Sequence, residues 1–122
     1  MLYAILCYHD EDLVGSWSKE QDAAVKSKLA VVQEKLAKQG RLGPVARLLP
    51  TTAAATLRKE DPPLVIDGPY AETKEQLLGF YVVDCKNLDE ALDVARELGA
   101  ANPGGAYEIR PVGLFAPGSV AT

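Results

Sequence analysis

The chain has 122 residues, 48% hydrophobic and 25% charged, with net charge −4, one His, two Cys and one Trp. That length suits a single domain able to bury a core without a metal or a disulfide. The composition excludes collagen-like, disulfide-knot and disordered classes, and the acidic balance argues against nucleic acid as the main partner.

Leu2 to Tyr8 is a nearly continuous apolar run and is expected to be a strand buried on both faces. It lacks a basic leader and runs into His9-Asp10-Glu11-Asp12, so it reads neither as a signal peptide nor as a membrane span. A polar break covers Asp10 to Ser18. Ser18 with Gln21 fits a capping box. Val25, Leu29, Val32 and Leu36 then mark one face of a helix that Gly40 closes. Arg41 to Leu49 reads as a second strand, with Pro44 pointing to an edge or a bulge. Thr51 to Arg58 and Leu64 to Ile66 predict two short strands across a turn-rich connection.

Asp67-Gly68-Pro69-Tyr70 is a turn, and Ala71 to Gln76 is expected to form one helical turn. Leu77 to Asp84 is the clearest strand, aromatic and β-branched. Asn87 caps a second helix with an apolar stripe of Leu88, Ala91, Leu92, Ala95 and Leu98, ending at Gly99. Ala106 to Val112 is a last strand. Residues 1–115 form the expected domain, and Ala116 to Thr122 a flexible tail.

The order β-α-β-hairpin-β-α-β predicts an α+β, ferredoxin-like βαββαβ fold with an inserted hairpin and both helices on one sheet face. The first and third core strands are apolar on both sides: Leu2, Ala4 and Leu6 oppose Tyr3, Ile5 and Cys7, and Phe80 and Val82 oppose Tyr81 and Val83. Two helices cover one face, so a second copy is expected on the other, making a homodimer. The alternative is that the hairpin and tail fold over it.

The ungapped stretch Asp67-Gly68-Pro69-Tyr70-Ala71-Glu72-Thr73-Lys74-Glu75-Gln76-Leu77-Leu78-Gly79-Phe80-Tyr81 resembles the DGPF family of the YCII-related superfamily, with Tyr70 where that family usually has Phe. The resemblance covers almost the whole chain. It implies a dimeric ferredoxin-like α/β barrel and no particular reaction. The wider group has a His–Asp pair suspected of catalysis, with the His on the first helix. This chain's first helix has no His, so the pair is not carried over. Related proteins are often encoded beside extracytoplasmic-function sigma factors, which implies a non-catalytic regulatory module with a sigma factor as partner.

In the expected topology His9, Asp10, the Asp67–Tyr70 turn and Glu72 to Glu75 gather at one end of the sheet. Polar residues converging beside an apolar concavity point to a small-molecule ligand and to cofactor-free acid–base chemistry. His9 is the only imidazole and a candidate general base beside Asp10, with Asp67 a second catalytic candidate. Tyr70, Glu72, Lys74 and Glu75 are candidate substrate-binding residues, and Arg47 and Arg58 would suit an anionic substrate. Each has a plainer reading: a strand-end His, a turn-forming Asp-Gly-Pro, solvated ion pairs. Cys7 and Cys85 fall at opposite ends of neighbouring strands, roughly 20 Å apart, too far for a disulfide and in keeping with a cytoplasmic protein. No zinc-ligand spacing, glycine-rich nucleotide loop or Gly-x-Ser-x-Gly is present, so neither metal nor cofactor is expected.

Overall fold

A computed structural model describes residues 1–121; Thr122, the last residue of the expected tail, lies outside the described residues. The elements are β1 (Leu2–His9), α1 (Glu11–Gly15), α2 (Lys19–Lys38), β2 (Leu42–Arg47), a 3-10 turn (Thr51–Ala53), β3 (Ala55–Arg58), β4 (Leu64–Asp67), β5 (Gln76–Asp84), α3 (Leu88–Ala101) and β6 (Ala106–Pro111). The main sheet has the order β2-β5-β1-β6, with every hydrogen-bonded neighbour antiparallel. This is the split βαβ arrangement of a ferredoxin-like fold, with β3 and β4 as a separate two-stranded ribbon.

Local chemistry sets the helix boundaries. The Ser18 hydroxyl accepts from the Gln21 amide at 3.1 Å, and the Gln21 side chain accepts from the Ser18 amide at 2.9 Å, which completes the capping box of α2. Asn87 caps α3 by accepting from the Glu90 amide at 2.9 Å. Gly40 follows α2 at φ 68°, a left-handed conformation that any side chain would strain.

Three local expectations are corrected. The Asp10–Ser18 break contains α1, because the Asp10 carboxylate accepts the amides of Asp12 and Leu13 and the acidic first turn suits a helix N-terminus. Residues 71–75 are irregular, with bends at Ala71, Lys74 and Glu75, rather than a helical turn. α3 runs past Gly99 to Ala101, with Asn102 at its end.

Tyr3, Ile5, Tyr81 and Val83 share one face of the sheet and pack with Leu36, Ala91, Val94, Ala95 and Leu98 into the core. Only Leu36 of the α2 stripe is buried, whereas Val25, Leu29 and Val32 stay half-buried. The far end of α2 therefore packs on the core, and its first turns stand over a hollow. On the opposite face Val82 is buried, while Leu2, Leu6 and Phe80 remain half-exposed.

Candidate functional site

That hollow is a cavity of about 370 Å³, within the size range of small-molecule sites. Its walls come from four places. α2 contributes Val25, Lys26, Leu29, Ala30 and Gln33; the sheet contributes Cys7, His9, Arg47 and Tyr81; Val14 and Trp17 close the α1 side; Asn102, Gly104 and Tyr107 close the opposite side. The lining is mostly apolar, with a few polar groups converging from distant parts of the chain.

His9 is 8% exposed, and among the described residues it is the one buried side chain of the polar and charged types. Its Nδ1 accepts the backbone N–H of Asp10 at 2.8 Å. A neutral imidazole that accepts at one nitrogen carries its proton on the other, so this contact assigns the proton to Nε2. The ring edge meets Trp17 with centroids 6.2 Å apart and planes at 81°. Gly104 and Gly105, at φ 86° and 76°, lie against the imidazole, and a Cβ on Gly104 would sit 2.6 Å from Nε2. Only glycine permits both the backbone conformation and the close approach.

This geometry changes the chemistry expected of the His9–Asp10 pair. The Asp10 carboxylate caps α1 and is committed to the amides of Asp12 and Leu13 at 3.0 and 3.3 Å. It is the Asp10 backbone, not its carboxylate, that orients the ring. His9 thus presents an N–H donor, which polarises an oxygen, rather than a free lone pair that removes a proton.

The thiol and the two phenols of the cavity are kept neutral. Burial pushes the Cys7 thiol up to about 12. Burial likewise raises the Tyr107 phenol to about 12, outweighing the Asn102 amide, which donates to the phenol oxygen at 3.4 Å. Tyr81 is raised for the same reason, and Gln33 Nε2 reaches its oxygen at 3.5 Å. Each phenol keeps its proton and has an O–H left to donate. Positive charge enters only through Lys26 and Arg47, which share Asp22 at 2.8 and 3.7 Å. The Lys26 ammonium holds the Asp22 carboxyl below its ordinary value.

Of the candidate residues, His9 and Arg47 line this cavity. Asp67 is the exposed last residue of β4, and Tyr70 is 79% exposed, with Arg58 stacked 5.8 Å from its ring centre. Glu72, Lys74 and Glu75 are exposed in the irregular stretch before β5, with side chains turned outward rather than lining the hollow. Their segment is tied to the cavity end through Gln76, which pairs with His9 and accepts the Glu11 amide at 3.0 Å. Trp17, Lys26, Gln33, Asn102, Gly104 and Tyr107 were not singled out from the sequence. A Trp just before a capping box and a Gly-Gly pair after a helix were the available signals.

A YCII-related domain matches residues 1–116 of the chain. An uncharacterized protein of Rhizobium meliloti (strain 1021) is 60% identical over 98% of both chains. No helix is long and apolar enough to cross a membrane among the described residues.

Proposed function

This chain belongs to the family of YCII-related domains, and we propose that it binds a compact, largely apolar organic acid in the cavity under α2, with His9 donating from Nε2 to a carbonyl or oxyanion oxygen. The observation that carries this reading is the Asp10 amide on Nδ1 of a buried histidine at a cavity wall. A fixed neutral imidazole donor suits cofactor-free proton transfer beside a carbonyl, where the ring stabilises charge developing on oxygen. The stretch Asp67 to Tyr81 supports placing the chain in the DGPF branch of its family.

A second copy completes the proposed state. β3 and β4 pair Leu57 with Val65 on one side of the ribbon and present Ile66 and Leu64 on the other, all 44–67% exposed. An isolated two-stranded ribbon with apolar residues on both sides is marginal alone. The half-exposed Leu2, Leu6 and Phe80 add surface on the open sheet face. The reading is therefore a homodimer.

The binding proposal is tested by thermal shift against a panel of small aromatic and aliphatic keto acids. A ligand at 100 times its Kd adds ~2.7 kcal/mol, which raises Tm by several degrees. We expect at least one acid to give that shift with the wild type and none with His9→Phe. A panel without any stabilising acid, or an equal shift in His9→Phe, would overturn the assignment.

A further inference from the structure

A second hollow adjoins the first. It holds about 400 Å³ and is walled by Glu11, Gly15, Asp22, Leu48, Leu49 and Pro50. Val14, Lys26, Arg47 and Leu78 line both spaces. They form a neck between two partly open hollows, one containing His9 and the other a groove running beside Leu48 and Leu49. Leu48 and Leu49 are 45% and 80% exposed in that groove, large apolar side chains left uncovered at the mouth of a cavity.

The groove lies on the helix side of the sheet. Val45 pairs with Tyr81, whose ring is in the core beneath the helices, and Ala46 pairs with Phe80 on the open face. Alternation returns Arg47 to the helix side. A partner copy packed on the open face would leave the groove free.

The charges at the neck balance, Lys26 and Arg47 standing against the carboxylates of Asp22 and Glu11, so what the neck offers a ligand is a loosely held guanidinium. Lys26 and Arg47 share the single carboxylate of Asp22, and Arg47, at 3.7 Å, is the looser partner. The other acid nearby is already committed: the Glu11 carboxylate accepts the Thr51 amide at 2.9 Å and the Thr51 hydroxyl. The Arg47 side chain is 60% exposed and held only by this long ion pair, so its fork has room to turn toward a second carboxylate.

We infer that the ligand is a carboxylic acid branched next to its carboxylate, with the carboxylate on Arg47 and Lys26 at the neck, one arm in the His9 compartment and an apolar arm along Leu48 and Leu49. The inference rests on the cavity reading above and specifies its substrate class. It follows from two mostly apolar spaces that meet at a loosely paired guanidinium, a shape that a straight-chain acid fills on one side only. Each further buried methylene strengthens binding about fourfold.

The probes are 3-phenylpropanoates bearing a linear alkyl group of increasing length at the 2-carbon, with their primary amides as neutral counterparts, measured by calorimetry. With wild type the affinity is expected to rise about fourfold per methylene until the groove is filled. It should stay flat with length in the Leu48→Ser/Leu49→Ser double variant, whose affinity for unsubstituted 3-phenylpropanoate is unchanged. Arg47→Gln should weaken the acids about tenfold and leave the amides as they were. Binding that depends on His9 but not on alkyl length overturns the branched-acid inference and leaves the cavity reading standing. Binding of no member overturns both. Length dependence that persists in the double variant places the second arm elsewhere and also overturns it.

Discussion

Replacing Gly105 by alanine should destabilise the protein by on the order of 3 kcal/mol, the largest effect expected of any single methyl group near the site. Gly105 has φ 76°, where an L side chain is strained before it meets anything. Its added Cβ would press into the Tyr8 carbonyl oxygen and stand 3.1 Å from both Cβ and Cγ of His9. Tyr8 pairs with both β5 and β6, so its carbonyl has little room to yield. The backbone term alone costs ~1–3 kcal/mol, and relief of the clash must move a strand or the imidazole. Urea unfolding should show a lowered midpoint for Gly105→Ala and a change within ~0.5 kcal/mol for Gly15→Ala, whose Cβ meets nothing within 4 Å. Equal stability of the two variants would mean that the glycine pair is not clamped on His9.

The second large effect concerns assembly. Sedimentation equilibrium should find the wild type dimeric at micromolar concentration and a Leu57→Lys/Val65→Lys variant largely monomeric. These residues face each other on one side of the ribbon and are 58% and 67% exposed in the single chain. Two charges there cost the monomer little, because the side chains are already in water. Placed in an interface they would be desolvated without partners, at several kcal/mol. Each 1.4 kcal/mol is tenfold in the dissociation constant, so a shift of a hundredfold or more is expected. A monomeric wild type would remove the second copy from the account. A variant that dimerises as tightly as the wild type would exclude the ribbon from the interface.

The fold was legible because its signals are local. Ser18 and Gln21 sit three residues apart, Asn87 precedes an apolar stripe, and Leu77 to Asp84 is too β-branched and aromatic to be anything but a strand. The two-sided apolar character of β1 and β5 also read through, although Val82 proves buried within the single chain. α1 escaped notice because five residues carry too little periodicity, and its signal is a single capping carboxylate in an acidic run.

The site was legible in two residues, His9 and Arg47. A lone histidine at a strand end draws attention in any sequence, but its tautomer depends on an amide contact that only the path of the chain into α1 creates. Lys26, Gln33 and Tyr107 come together because the first turns of α2 stand off the sheet, a tertiary fact with no local signature. The turn Asp67-Gly68-Pro69 drew weight as a motif, and its backbone work is plain: the Gly68 amide donates to the Ala54 carbonyl at 2.8 Å, and its carbonyl accepts the Thr56 hydroxyl at 2.9 Å.

The most direct test of the account is the protonation pattern of the single imidazole, read from the nitrogen chemical shifts of 15N-labelled protein in a long-range proton–nitrogen correlation spectrum. With the ring neutral, the prediction is a protonated Nε2 and a bare, hydrogen-bonded Nδ1, with the Nε2 signal moving when an acid occupies the cavity. A proton on Nδ1, or a ring averaging between the two tautomers, would contradict the claim that His9 is held as a donor.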